Sequence, residues 1–323
     1  MTDLTAGTEI GPGHHPAPVE LAEGIPGAPL GDLSHLGEPT GERHATLWAD
    51  ARRQLIRSKV FVMSCFWVVI VTSMALVPRL WTSIDPRACN VSNARLPISS
   101  EHWMGTSVVG CDYYAHGIYG ARPSLTIALL GTLGVTVIGG AMGMIAGFYG
   151  GKVDSIISRT IDFILALPFL LGAFVFLGVL KIYSVWTVSA VIVILSWTII
   201  ARIMRGSVLS GKNLDYVQAA KALGASNRRV MVKHILPNAI APVLVYTTIL
   251  FGGYVAVEAT LTFLGVGLRP PAISWGVMIT QHENRFLQHP NLLLWPAGLL
   301  FLTVLSFILI GDALRDALDP KLR

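Results

Sequence analysis

The feature that most constrains this chain is a series of six long apolar runs: Val60 to Leu80, Leu125 to Tyr149, Phe163 to Leu180, Val185 to Ala201, Val243 to Leu264 and Leu292 to Ile310. About twenty apolar residues in a helix cross the ~30 Å hydrocarbon layer of a bilayer with every backbone group bonded internally. Charge is correspondingly scarce: 13% of the 323 residues are charged, against roughly 25% in an ordinary soluble domain. The expected fold is an all-α integral membrane protein with six transmembrane helices within residues 60–323.

Residues 1–42 contain no Lys, Arg, Phe, Tyr or Trp and are rich in Pro and Gly. Such a segment cannot bury enough apolar surface to offset its ordering entropy, so residues 1–44 are expected to be a disordered, acidic cytoplasmic tail. A cleaved signal peptide needs a basic start followed at once by an apolar stretch, whereas the first apolar run here begins near residue 60, so the first span is expected to be an uncleaved anchor. Between tail and anchor, residues 45–59 place Leu47, Ala51 and Leu55 at helical spacing, with Trp48 beside them and Arg52, Arg53, Arg57 and Lys59 elsewhere. This pattern reads as an amphipathic helix on the anionic inner membrane surface, or as a plain extension of the first span.

Orientation follows from the basic residues. With the N-terminus inside, 7 of the 24 Lys and Arg residues (Arg79, Arg87, Arg95, Arg122, Lys181, Arg269 and Arg285) fall on outer segments and 17 on inner ones. The positive-inside rule then puts both termini in the cytoplasm of a multi-pass protein. Residues 81–123 and 267–290 become outer segments. Cys89 and Cys111 lie on the oxidising side, either as a disulfide or as two independent thiols, and Cys65 lies in the first span.

Enzymatic readings fail at specific positions. Gly151-Lys152 resembles the end of a phosphate-binding loop, but Ala146 stands where that loop needs Gly and Val153 where it needs Ser or Thr. His282-Glu283 opens a zinc-protease pattern whose second His would fall at Phe286. Gly105 to Gly110 contains a Ser without the spacing of a nucleophile elbow. No metal ligand set or nucleotide site is expected on this chain.

Within the spans, Gly139, Gly143 and Gly147 repeat every four residues on the second run and make a flat stripe for close approach of another helix. Glu258 lies in the fifth run. Apolar neighbours contribute roughly 3 to 7 kcal/mol toward insertion, against about 2.5 to 3.5 for one central ionised residue, so the span carries it. Glu258 is either a buried structural hydrogen-bonding group or part of a gate or substrate path.

The most informative segment is the basic inner loop, residues 205–241. Its centre, Asp215 to Ser226, reads as a short helix with Asp215 as its cap, and Arg228 to Leu236 reads as a second helix stopped by Pro237. Ala219, Ala220, Gly224 and Ala225 make this knob small-sided, so that a partner's backbone can come near.

At this loop the chain resembles the permease subunits of ABC importers: Gln218-Ala219-Ala220, then Gly224, then Leu236-Pro237 fall at the family's spacing for Glu-Ala-Ala, Gly and Leu-Pro. Gln218 replaces the family's Glu. Three further stretches are similar to the second permease of the dipeptide, oligopeptide and nickel branch: His102 to Leu125; Glu258 through Gly267, Pro270-Pro271 and Ser274-Trp275-Gly276; and Gly311 to Pro320. Ser107 stands where that branch usually has Asp, and Cys111 where it usually has Arg.

The resemblance implies a type I ABC importer permease fold in a prokaryotic cytoplasmic membrane, non-catalytic, with ATP and Mg held by partner subunits and no cofactor on this chain. The implied partners are a second permease, two ATPase subunits, an extracytoplasmic binding protein and membrane lipid, with no nucleic acid. The loop carrying Asp215, Tyr216, Gln218, Ala219, Ala220, Gly224, Ala225 and Pro237 would couple to the ATPases. Peptides are the expected cargo, with nickel chelates or another small solute as the alternative; a secondary transporter is the rival class.

Overall fold

The computed structural model describes residues 47–318, with side chains from Arg52 onward. The expected tail, residues 1–44, lies outside the described residues. Ten helices follow in order: α1 Leu47–Arg57, α2 Lys59–Leu76, α3 Tyr113–Tyr149, α4 Gly151–Leu165, α5 Phe169–Leu180, α6 Val185–Gly211, α7 Asp215–Ala222, α8 Asn227–Phe263, α9 Trp275–His282 and α10 Pro290–Leu318. Among the described residues the sole strand-like pairing is one antiparallel bridge between Thr106 and Asp112.

Five of these helices (α2, α3, α6, α8 and α10) are each long and apolar enough to cross a membrane. The third expected span differs. Phe163 to Leu180 is not one rod: α4 and α5 meet at a bend of 83°, and they make a sixth span only when taken together. Leu167 precedes Pro168, which lacks an N–H and disfavours helical backbone at the residue before it, so the helix breaks there. The first span is likewise shorter than its apolar run, ending at Leu76 before a 3₁₀ turn opened by Pro78.

Close backbone approach, more than apolar burial, holds helices together in lipid, where both alternatives are apolar. The glycine stripe of α3 shows this directly. Its neighbour belongs to this chain: a Cβ on Gly139 or Gly143 would strike the backbone of α6 at Trp197 and Ala201, and one on Gly147 would come within 2.9 Å of the Val208 side chain. Next to the stripe on the same face of α3, Thr136 shares a 3.0 Å hydrogen bond with Thr247 of α8. α8 in turn packs on α10, where Phe251 stacks on Phe307 and Gly252 admits the backbone of Val304.

α1 packs against the end of α10 with Arg52, Arg53 and Arg57 exposed. At the opposite end of α2, Arg122 donates to the carbonyls of Ala75 and Leu76, which have no partner further along their own helix.

Candidate functional site

The loop expected at residues 205–241 is much shorter in the structure. α6 runs on to Gly211 and α8 begins at Asn227, leaving Lys212 to Ser226 as the connection. Pro237 does not stop a helix. Val230–Ile235 is a stretch of π-helix, in which the Leu236 N–H bonds to Met231 O, and the chain continues unbroken to Phe263. The widened turn accommodates the missing Pro237 donor, which would otherwise break an ordinary helix.

Within the connection lies α7. Leu214 occupies its cap position with no side-chain bond, and Asp215 is the first helical residue, contributing charge at the helix's positive end instead of a cap. The helix ends at Ala222 in a Schellman turn: Ala225 N–H bonds to Ala220 O at 3.1 Å and Gly224 N–H to Lys221 O at 2.9 Å, with Gly224 at φ +82°. Gly224 therefore lies beyond the helix and does not share a helical face with Ala220. Its role in this geometry is to supply a left-handed backbone.

Val217 is fully buried and anchors α7. The Tyr216 hydroxyl donates to His234 O (3.3 Å) and accepts from Asn238 Nδ2 (2.7 Å), both on α8. Gln218 Nε2 donates to Lys212 O at 3.0 Å; an ionised Glu has no proton to give there. Lys212 Nζ donates to Gly147 O at the end of α3, and Lys221 sits over the Phe148 ring. The free side of α7 presents Gln218, Ala219 and Leu223, with Ala220 half-buried and Ala225 tucked onto the core. Leu223 is 89% exposed.

Two ion pairs that the sequence reading passed over join α4 to the lower half of α6. Arg205 grips both carboxylate oxygens of Asp154 (2.5 and 2.6 Å), and Arg202 reaches Asp162 at 2.5 Å. Arg202 and Arg205 show in the sequence only as positive charge, because their partners lie 40 and 51 residues away.

At the other end of the molecule, Glu258 is completely buried on α8 and accepts from three hydroxyls: Ser124 on α3 (2.9 Å), Thr262 one turn on (3.1 Å) and Ser274 (2.8 Å). Ser274 also caps α9 by accepting from Val277 N–H, Ser124 accepts from Trp275 N–H, and Trp275 Nε1 donates to Gly117 O. The carboxyl group thus ties α3, α8 and α9 together, its oxygens satisfied by three donors as burial requires.

Nearby, Cys89 and Cys111 form a disulfide with Cα atoms 4.1 Å apart. Together with His116 they place three ligand-type atoms within 4.8 Å, but disulfide sulfurs offer no thiolate, so no metal set is formed. Ser107 Oγ accepts from Cys111 N–H (3.1 Å), and Asp112 caps α3 through Ala115 N–H (2.7 Å). The disulfide borders a cavity of about 460 Å3 shared with His116 and His282. Burial pushes the His282 imidazole below its ordinary pKa, partly opposed by its bond to Met278 O.

Comparison with known proteins completes the picture. Residues 139–323 match the family described as binding-protein-dependent transport system inner membrane component. The chain is similar to the oligopeptide transport system permease protein OppC of Bacillus subtilis (36% identical, covering 88% of this chain and 93% of that protein). It is also similar to the dipeptide transport system permease protein DppC of Alkalihalophilus pseudofirmus (36% identical, covering 85% and 90%). The glutathione transport system permease protein GsiD of Pectobacterium atrosepticum is 32% identical over 86% of this chain and 92% of its own length.

Proposed function

Since the chain belongs to the family of binding-protein-dependent transport system inner membrane components, we propose that it forms half of the translocation pathway of an ATP-driven peptide importer. Its relatives bear the names of oligopeptide, dipeptide and glutathione permeases, which favours peptides over nickel chelates as cargo. A second permease, two ATPase subunits that hold ATP and Mg, and an extracytoplasmic binding protein complete the assembly. Both termini face the cytoplasm, which sets α1 and α7 on the inner side and the Cys89–Cys111 segment on the outer side.

The observation that carries this reading is α7. A short helix stands at the inner ends of the spans with one side exposed, while its other side bonds to α8 through Tyr216, to Lys212 just past the end of α6 through Gln218, and rests Lys221 over Phe148 of α3. A push on the exposed side from an ATPase subunit reaches three spans through these contacts. Glu258, saturated by hydroxyl donors and shut away from solvent, is assigned to holding the outer end together and not to the substrate path.

The test uses Leu223→Asp in the purified complex. Leu223 makes no buried contact that the fold needs, so membrane insertion and pairing with the second permease should persist. A charge buried unpaired in a docking contact typically costs several kcal/mol, enough to release the ATPase subunits or to uncouple hydrolysis from transport. Full retention of the ATPases together with normal coupling would refute the role given to α7.

A further inference from the structure

A second recess opens at the outer end of the molecule, distinct from the cavity beside the disulfide. Trp81, Trp103 and Tyr114 line it together with Glu101 and Asp112, and its volume is about 180 Å3. Sites for whole small ligands run from roughly 300 Å3 upward, so this one has room for a side-chain head and not for a cargo molecule.

Its aromatic members are held in place. Trp81 Nε1 donates to Ser73 Oγ at 3.0 Å, Tyr114 stacks on Trp295 at 5.6 Å, and Trp103 leans on Tyr114 at 5.2 Å. Asp112 is committed to the α3 cap and to His102 Nδ1 at 2.8 Å. Glu101 is exposed and makes no hydrogen bond or ion pair among the described residues. Trp103 is 61% exposed, so its ring face is open to a partner.

Aromatic faces attract cations through the ring quadrupole, and a carboxylate beside them adds negative charge that attracts the same cation. We propose that this cup receives a Lys or Arg side chain of the extracytoplasmic binding protein when that protein docks. The inference rests on the importer reading above, which puts the cup on the outer surface. Charge complementarity selects the partner's chemistry, and the size of the recess selects one side chain.

The experiment uses the reconstituted complex with its binding protein and reads ATP hydrolysis against binding-protein concentration. Glu101→Gln and Trp103→Ala change exposed groups, and the amount of assembled complex is measured alongside to separate a docking defect from loss of the Trp103–Tyr114 contact. Each should raise the half-saturating concentration roughly three- to tenfold with the maximal rate unchanged. Glu101→Lys should do so more strongly, and its effect should shrink as salt screens the exposed charge. Unchanged half-saturation in all three variants overturns the proposal, as does a loss confined to the maximal rate. A defect that vanishes with cargo lacking a free amino terminus also overturns it, because the cup would then hold the cargo's ammonium. Absence of any binding-protein stimulation in the wild type would count against the importer reading instead.

Discussion

Substituting Ala for Gly at two positions one turn apart on α3, Gly140 and Gly143, isolates the energy of the α3–α6 contact. A Cβ on Gly143 falls 2.9 Å from Met204 Cβ and 3.0 Å from the Ala201 carbonyl carbon, and nearer still to the Ala201 oxygen. A Cβ on Gly140 meets nothing nearer than Met204 Cε at 3.8 Å. Unstrained carbon contacts lie at about 3.5–4.0 Å, so at Gly143 the helices must part by roughly 0.5–1 Å, a displacement that already forfeits a quarter to a half of each dispersion well. Because backbone cannot swing aside as a side chain can, overpacking here should cost about 1–3 kcal/mol. Both variants gain the same helix propensity, roughly 1 kcal/mol, which cancels in the comparison. Thermal melting of the detergent-purified complex should therefore place Gly143→Ala several degrees below Gly140→Ala. Coincident melting curves would mean that α3 and α6 do not touch along the stripe.

Two further outcomes follow from the local geometry. Gly224→Asn should be tolerated and Gly224→Val should not, since only the former adopts the left-handed backbone readily; ATPase retention in the assembled complex checks this, and equal loss with both would mean that bulk, not φ, is what matters there. For His282, whose pKa is lowered by burial, the unfolded chain takes up the proton first as pH falls. Stability is then fully present above the unfolded value of about 6.5 and is lost as pH drops through and below it toward the folded value. The protection factors of amides in residues 275–282, corrected for the slower intrinsic exchange at low pH, should fall from pH 7 to pH 5, and unchanged protection would mean that His282 does not titrate in the unfolding of this end.

The spans were legible because hydrocarbon thickness imposes a length on apolar runs, and α2, α3, α6, α8 and α10 all contain one. Their ends were not legible. α6 and α8 extend past their apolar stretches on polar residues such as Arg205 and Asn227, where helical hydrogen bonding continues after lipid contact stops. The bend at Pro168 was signalled by a residue with a strict backbone preference, yet hydropathy averaging hides it. Pro237 misled for the opposite reason: a π turn, which leaves no compositional trace, absorbed it. At the site, Tyr216 and Gln218 stood inside a recognisable pattern. The partners His234, Asn238 and Lys212 lie 6 to 22 residues away, and no spacing rule reports such contacts. The outer recess was invisible for the same cause, since Trp81, Glu101 and Tyr114 meet only after the segment between α2 and α3 folds back.

The contacts also decide how a displacement of α7 travels. α8 is a single helix of 37 residues, so the rod that bonds Tyr216 at its inner end carries Glu258 near its outer end. α3, equally long, receives Lys212 at Gly147 and Trp275 at Gly117. These two rods are joined at Thr136–Thr247 and again at Ser124–Glu258, two points along their length, which removes independent rotation and makes them one body. α6 joins that body through the glycine stripe, where backbone meets backbone and no side-chain rotamer can absorb strain. α4 follows α6 through Arg205–Asp154 and Arg202–Asp162. α5 connects to α4 across the 83° bend and packs on α6 through apolar contact alone, with Ala173 and Leu177 buried and Gly172 set against Leu195, and no ion pair joins it to α6 among the described residues. A push on α7 would therefore reach the Glu258 end through α3, α6 and α8 moving together.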